Sequence, residues 1–579
     1  MIDFLIFFAH NMNMKIKKNS WWNYLLAVIL SVMLIMPSFF ENVSHTPIQA
    51  ALNLSGSGTE SNPYKITSTA DLTNLANWVN SGNQCSGQYF ELTENIDASG
   101  VPVIGTLKNN TTYYFKGIFD GNGKSIKNLN RSNSSNNNGD LGLFGYLQGT
   151  VKNLIILSGT INLSVNGKSA GAIAGSTYSG SLIENCFNSG CNINASNNNM
   201  GAAQLGGIVG AAGGNTTIRY CANYATITNN SILARSGGIM GIQNEGATTI
   251  RECFNKGNIT AGTTKSTQSY AGGIIGQNGT ISNCFNTGNI TAKAKTNTEN
   301  STPAINKYNY CEGVSLKVEN YSMKKVYNLA YCGGIVGYGE GSIKNSFNTG
   351  TITGGKSTIS ITSLAVFDAI INRTSGIVGS TTTGYQELTT NLSFDETIYF
   401  SGINGNINKS STNCYSTTSN LSNTVNYSVK EHVYSQKVLG GTTEIHNKAL
   451  AEKSDAAYTV NQNLSLYNLE NLDATVSNTK LTLICSSSSA SLKVSTDLTW
   501  TTGMLWWEKK HNQTLSCSIF SITINRKQNY SIKSLSSMKS SSFASTLGSS
   551  YWAYNSLLND SLPYLKKIFW ASNASNSYD

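Results

Sequence analysis

The strongest constraint on this chain is a Gly-rich apolar pentad that recurs through its middle. It reads Gly171-Ala-Ile-Ala-Gly175, Gly206-Gly-Ile-Val-Gly210, Gly237-Gly-Ile-Met-Gly241, Gly272-Gly-Ile-Ile-Gly276, Gly333-Gly-Ile-Val-Gly337 and Ser375-Gly-Ile-Val-Gly379. A variant first copy is Leu141-Gly-Leu-Phe-Gly145, and the final glycines are spaced by 30, 35, 31, 35, 61 and 42 residues. The value 61 is close to twice the unit, so one degenerate copy or an insertion falls within 293–331. A second block follows at a near-constant offset: Ile183-Glu-Asn-Cys-Phe-Asn188, Ile218-Arg-Tyr-Cys-Ala-Asn223, Ile250-Arg-Glu-Cys-Phe-Asn255, Ile281-Ser-Asn-Cys-Phe-Asn286 and Ile343-Lys-Asn-Ser-Phe-Asn348.

Coupled blocks at this period mark a stack of supersecondary units. Helical repeats are excluded, because each unit carries several glycines and no long run of helix formers. A propeller blade needs four strands and usually more residues. The remaining solution is a parallel β-solenoid in which each short run lies about 4.8 Å above its counterpart, so that Ile meets Ile, Asn meets Asn and Phe meets Phe. Composition agrees. Charged residues are 12% of 579, about half the usual share. With 28 Tyr, 19 Phe and 8 Trp the chain is too aromatic for a disordered one. Cys186, Cys221, Cys253, Cys284 and Ser346 share one column. Serine in the fifth place fits a small buried filler better than a disulfide or metal framework, and no C-x-x-C pair occurs among the 11 cysteines.

Gly142-Leu-Phe-Gly145 and the Gly-Gly-Ile-x-Gly series resemble the GLUG-motif repeats of bacterial secreted and surface proteins. The approach is similar too: Gly56-Ser-Gly-Thr-Glu-Ser-Asn-Pro-Tyr-Lys-Ile66, Tyr89-Phe-Glu-Leu-Thr-Glu-Asn-Ile-Asp97 and Phe115-Lys-Gly-Ile-Phe-Asp-Gly-Asn-Gly123. The resemblance spans about 51–425 and implies an all-β, right-handed parallel β-helix of a class many of whose members are tied to adhesion or lack a known activity. Some relatives set such repeats beside a peptidase that cleaves host immunoglobulin. Within this frame, 51–139 reads as an N-terminal cap and first coils, 140–425 as repeats, and 426–579 as an irregular C-terminal β region with a closing strand at Tyr564–Trp570. Leu72, Leu75, Ala76 and Val79 at helical spacing predict a capping helix over Asp71–Asn80. The stretch 455–530 alternates in places, as at Leu481–Cys485 and Ile519–Ile524, and reads as an irregular end or an inserted sandwich.

Residues 1–50 read as a secretory signal with a second start at Met14: Lys15, Lys17 and Lys18, an apolar run from Tyr24 to Met36, and small residues near Ala50. That places the body outside the cell, secreted or on the surface. An uncleaved anchor would do the same, although the run is shorter than the roughly 20 residues of a membrane span.

Chemistry is sparse. The net charge of +10 is spread in isolated lysine pairs, which makes no nucleic-acid footprint. The five His form no H-E-x-x-H, so a zinc peptidase lacks its ligands. No cofactor or metal is expected. Asp97, Asp120, Glu184, Glu252, Asp368 and Asp395 are the acids a polysaccharide lyase or glycoside hydrolase would draw on. They fall one per coil, without an opposed partner of the kind hydrolysis needs. The expectation is a non-catalytic rod that binds host or environmental glycans or proteins. Trp506, Trp507 and Trp552 are candidate stacking rings, with packing of the terminal core as their alternative.

Overall fold

The computed structural model describes residues 52–133, 139–195, 201–301, most of 307–417, the strands between 426 and 523, and 530–568. Within 301–323, 359–402 and 426–523 the description covers backbone pairing alone. The proposed signal at 1–50, Trp506, Trp507 and the pentad at 375–379 lie outside the described residues.

From Tyr64 onward the chain winds as a β-solenoid with three parallel sheets of 17, 7 and 11 strands. Each repeat period is one coil. In the first sheet Ile183, Ile218, Ile250, Ile281 and Ile343 stack in register. In the second, Ile193, Ile227, Ile259, Ile290 and Ile352 do the same. In the third, Gly206, Gly237, Gly272 and Gly333 align. All ten isoleucines are buried, forming the apolar columns of the core.

The two sequence blocks are coupled because their side chains meet inside the coil. The last Asn of each second block is fully buried and bonds vertically: Asn188 to Asn223 at 3.0 Å, Asn223 to Asn255 at 2.8 Å, Asn255 to Asn286 at 2.7 Å and Asn286 to Asn348 at 2.7 Å. The ladder ends on the Ser416 hydroxyl, 3.3 Å from Asn348. The second glycine of the pentad lies against this amide. A Cβ on Gly238 would fall 2.4 Å from Asn255 Cγ and 2.2 Å from the Gly273 carbonyl, so no side chain fits there.

The cysteine column does a backbone job. The Cys221 N–H donates to Cys253 Sγ at 3.4 Å, the Cys253 N–H to Cys284 Sγ at 3.4 Å, and the Cys284 N–H to Ser346 Oγ at 3.1 Å. Serine replaces cysteine because either atom satisfies a buried donor. The eight cysteines whose side chains are described are all buried and unpaired. Burial pushes the Cys332 thiol up to about 12 and that of Cys414 to about 11. Just before this column the chain turns through the left-handed region at Asn153, Asn185, Tyr220, Glu252, Asn283, Asn345 and Asn413. Asn tolerates that conformation, whereas Tyr220 and Glu252 adopt it at a cost.

The long interval between pentads is an insertion, not a lost coil. Tyr270 pairs directly with Tyr331, while Thr296–Ser301 and Tyr321–Asn328 form an antiparallel excursion between them. A second excursion pairs Lys356–Thr374 with Thr381–Tyr399. The next coil is supplied by Ser401-Gly402-Ile403-Asn404, which pairs with Cys332–Val336, and by Cys414-Tyr415-Ser416. Four antiparallel strands between Tyr458 and Thr523 precede Ser531–Ile532, which pairs in parallel with Tyr415–Ser416. The 455–530 stretch is therefore inserted between two coils.

Helix α1 (Thr69–Asn80) opens at Ser68, whose Oγ accepts from the Asp71 N–H at 3.2 Å, and buries Leu72, Leu75, Ala76 and Val79. It packs on the first strand and is tied to the following coil by Asn80, which donates to the Val103 carbonyl at 2.8 Å.

The C-terminal segment runs back along the outside of the stack. Between the inward Cys and Asn columns, Phe187, Ala222, Phe254, Phe285, Phe347 and Tyr415 form an outward stripe. Phe254 and Phe285 stack at 4.7 Å, and Phe285 and Phe347 at 5.2 Å. Helices α2 (Leu535–Met538) and α3 (Ser541–Gly548) and the segment to Ile568 cover this stripe with Met538, Phe543, Leu547, Trp552, Leu562 and Leu565. Phe543 meets Tyr415 at 5.1 Å, Trp552 meets Phe347 at 5.4 Å and Phe285 at 5.9 Å, and Lys567 Nζ donates to the Tyr220 hydroxyl at 2.9 Å. The segment thus spans the rungs from Tyr415 back to Tyr220. The expected closing strand begins where its sequence suggested, at Tyr564. Among the described residues of that stretch, Tyr564–Leu565 is extended, opposite Trp552–Ala553, and Lys566–Ile568 turn into a 3-10 helix that delivers Lys567 to Tyr220, while 569–570 lie outside the described residues.

Candidate functional site

The third sheet carries a concave feature. Its outer column reads Tyr146, Ser176, Ala211 and Ile242 in successive coils. Small residues at Ser176 and Ala211, with Gly213 and Gly214 beyond them, leave a cleft of about 390 Å³. Tyr178 and Ser179 edge it on one coil, Asn244 and Glu245 on another. Gly214 holds φ at +65°, which lets the chain turn there without a side chain.

Tyr114, Tyr146 and Tyr178 gather beside the cleft. Tyr114 and Tyr178 meet edge-on at 5.0 Å, and Tyr146 lies 6.2 Å from Tyr114 and 6.3 Å from Tyr178. Tyr146 is buried while the other two are half-exposed. Lys116 Nζ sits 5.9 Å from the Tyr114 ring centre. Burial, with Tyr114 and Asp140 nearby, pushes the Tyr178 phenol up to about 12, so it stays a neutral donor. Behind Ser176 lies Asp140, 7% exposed, whose Oδ2 is 2.5 Å from Ser176 Oγ and whose Oδ1 accepts from the Ser169 N–H at 3.0 Å. Burial raises the Asp140 carboxyl above its ordinary range. Amphipathic rings beside hydroxyl, amide and carboxylate groups can stack on an apolar face and hydrogen-bond its edges.

The acids that sequence reasoning singled out take other places. Lys65, Glu91, Asp120, Lys152, Glu184, Arg219 and Arg251 share one outward column. Within it Lys65 bonds Glu91 at 2.8 Å, Lys152 bonds Asp120 at 3.2 Å and Arg219 Nη2 donates to Glu184 at 3.0 Å. Glu252 pairs with Arg251 at 2.9 Å, and Asp97 lies 3.9 Å from Lys127. Glu91 and Asp120 are vertical neighbours, each with its own lysine, on the charged face. Asp368 and Asp395 lie in the long antiparallel strands Lys356–Thr374 and Thr381–Tyr399. Among the described residues, no three His, Cys, Asp or Glu side chains are grouped to hold a metal ion.

Trp552 sits in the cover over the Phe stripe at 2% exposure, which favours the packing alternative over a stacking platform. The tyrosine cluster escaped the sequence reading because Tyr114, Tyr146 and Tyr178 come from three different coils, and only the registers of the stack bring them together.

With the solenoid and its cleft in place, comparison with known proteins identifies the repeat. The family model described as "The GLUG motif" matches residues 267–291, which hold the pentad Gly272–Gly276 and the block beginning at Ile281. The chain is thus a β-solenoid that carries a GLUG motif at residues 267–291. Halomucin of Haloquadratum walsbyi is 32% identical over 165 residues, 27% of this chain and 2% of that protein. A candidate Gly-rich membrane protein of Evansella cellulosilytica is 26% identical over 162 residues, 26% of this chain and 17% of that protein. The chain thus spans less than a fifth of the length of either relative. A solved structure described as a candidate immunoglobulin A1 protease from Bacteroides ovatus is similar at 23% identity, covering 41% of this chain and 79% of its own, with a TM-score of 0.30. A likeness of that strength carries no conclusion here. No helix among the described residues is long and apolar enough to cross a membrane.

Proposed function

We propose that this protein is an exported, non-catalytic display solenoid that binds glycan chains in the cleft between Ser176 and Glu245. The observation that carries the reading is the cluster of Tyr114, Tyr146 and Tyr178 beside a cleft lined by hydroxyl, amide and carboxylate groups. Sugars present apolar ring faces and hydroxyl edges, and this lining offers a counterpart to both. Display outside the cell is supported by the signal-like run at 14–51 and by the name of the Evansella relative, a Gly-rich membrane protein. Hydrolysis is the weaker reading. It needs two carboxylates facing one bond, and this cleft is lined by one, Glu245, with Asp140 sealed behind Ser176. A glycan array probed with the purified protein and with Tyr178→Ala tests the proposal. Binding of a defined glycan class that falls at least tenfold in Y178A supports it. Silence across a broad array, or binding that Y178A leaves unchanged, removes the cleft as the site. Cleavage of a bound glycan at ordinary turnover overturns the non-catalytic reading.

A further inference from the structure

Among the described residues, the interior of the solenoid holds one cation that the stacking does not explain. Strand Leu129–Ser132 is the terminal strand of the second sheet. Its Leu129, Arg131 and the following Asn133 are buried, while Asn130 and Ser132 are exposed, so the first three share the inward face. Arg131 stands in register with Ile161, and through it with Ile193, Ile227, Ile259, Ile290 and Ile352. Where every later coil places an isoleucine, the first places a guanidinium at 7% exposure.

Its bonds are incomplete. Nε donates to the Gly142 carbonyl at 3.2 Å and Nη1 to the Asn130 carbonyl at 3.0 Å, while Nη2 is buried without a partner among the described residues. Asn133, 1% exposed, has the same shortfall: its Oδ1 accepts from the Ser164 N–H at 2.9 Å, its carbonyl accepts from Ser164 Oγ, and its Nδ2 has no partner among the described residues. No acidic residue occurs between Arg131 and Gly139 in the sequence. Asp140 is already engaged by Ser169 and Ser176. The ionisable neighbour that acts on Arg131 is Cys191, whose thiol burial pushes up to about 12 and so keeps neutral.

A buried charge without a counter-charge is among the least tolerable features of a fold, and a guanidinium can go unprotonated only at a pH far above neutral. Here burial lowers Arg131 only to about 10, so it remains a cation under ordinary conditions. Two unsatisfied N–H donors on one inward face, one of them charged, make a receptor for an acceptor that brings negative charge. The coil beneath contributes Ile161 and Leu163, both fully buried, which disfavours a strongly hydrated oxyanion. We propose that Arg131 Nη2 and Asn133 Nδ2 bind a small, weakly hydrated monovalent anion, of the chloride or bromide type, as a structural ligand inside the first complete coil. The anion neutralises Arg131 and completes the donor set at the point where the second sheet begins.

Two measurements on the full chain test this. In crystals grown or soaked with sodium bromide, an anomalous peak within hydrogen-bond reach of Arg131 Nη2 is expected. In solution at constant ionic strength, with gluconate as the balancing anion, the melting temperature is expected to rise as chloride goes from about 1 mM to about 300 mM, because a ligand held only by the folded state stabilises it. That rise is expected to vanish in Arg131→Met. Bromide density beside Arg131 with a chloride slope lost in R131M supports the site. A bromide map with no peak there, or a chloride slope that R131M retains, overturns it and leaves water as the acceptor. If R131M does not fold, the wild-type bromide map alone decides.

Discussion

Trp552 offers the sharpest test of how the C-terminal cover works. Its ring is 2% exposed and bridges Phe285 and Phe347, two successive rungs of the outward stripe. A buried Trp removes about 150–250 Å² from water, and truncation of such a ring to Ala costs roughly 3–5 kcal/mol once the cavity is counted. The indole N–H is buried without a partner, a penalty of about 1–3 kcal/mol already present in the native fold. Trp552→Phe keeps most of the ring contact and removes that orphan donor, so its net effect is expected within about 1 kcal/mol of zero. The pair of variants therefore separates packing from any role of the indole nitrogen. Hydrogen exchange is the suitable assay, because the cover can open without the stack unfolding. For Trp552→Ala, amides of Ser541–Gly548 and Trp552–Ala553 are expected to exchange about a hundredfold faster, the equivalent of roughly 3 kcal/mol. For W552F they are expected to remain close to wild type. Exchange in W552A that changes less than about threefold, with glycan binding lost instead, would refute the packing argument and restore Trp552 as a ligand-stacking ring.

Three further outcomes follow from the columns inside and beside the coil. Gly238→Ala forces a Cβ to 2.2 Å from a carbonyl that the next coil holds in place, so a loss of about 3 kcal/mol or more, or failure to fold, is expected in urea titration. Asn255→Ala orphans amide groups on Asn223 and Asn286 and is expected to cost about 2–4 kcal/mol by the same measurement, with Asn255→Asp worse because it buries a charge. Asp140 has a folded-state pKa raised by burial, so its proton is held more tightly by the folded chain. Stability from this group is expected to grow as pH falls through the raised value and to level off below the ordinary range near 4, and Asp140→Asn is expected to flatten that part of the melting-temperature profile.

Much of the fold was legible because a solenoid writes its contacts into the chain as a period. The columns of Ile, Asn and Cys are read directly from Ile250, Asn255 and Cys253 and their counterparts one unit away, since vertical neighbours in space are repeat neighbours in sequence. The coil at Ser401–Asn404 was missed because Asn404 stands where an apolar residue was sought, although Gly402-Ile403 keeps the glycine–isoleucine step. The insertion 296–328 left only an interval near twice the unit, which could not distinguish a worn copy from a detour. The cleft was illegible for a different reason. It arises from what is small at Ser176, Ala211 and Gly213, and absence of bulk leaves no motif. Arg131 was equally hidden, because its oddity is visible only once the register sets it on Ile161.

The cover over the Phe stripe changes the mechanics that a repeat protein would otherwise have. In a plain stack each coil touches only its neighbours, so stability accumulates locally and an end can fray without the middle responding. Here one segment starts at the last rung, at Ser531–Ile532, and returns to Tyr220, bonding rungs that are not adjacent. Opening the stack between Phe254 and Phe347 therefore also requires lifting Phe543 and Trp552 from the stripe. Lys567 and Tyr220 fix the far end of that brace at a corner where Tyr220 and Glu252 hold left-handed backbone in place of the tolerant Asn found in neighbouring coils. Residues held in such conformations persist where surrounding contacts over-determine them. At this corner the contacts are Lys567 and Arg251 on the Tyr220 hydroxyl and Arg251 on Glu252. The break in the run of left-handed Asn corners is thus where the cover is fastened, and the coils between that corner and the last rung, Ser531–Ile532, behave as one braced unit.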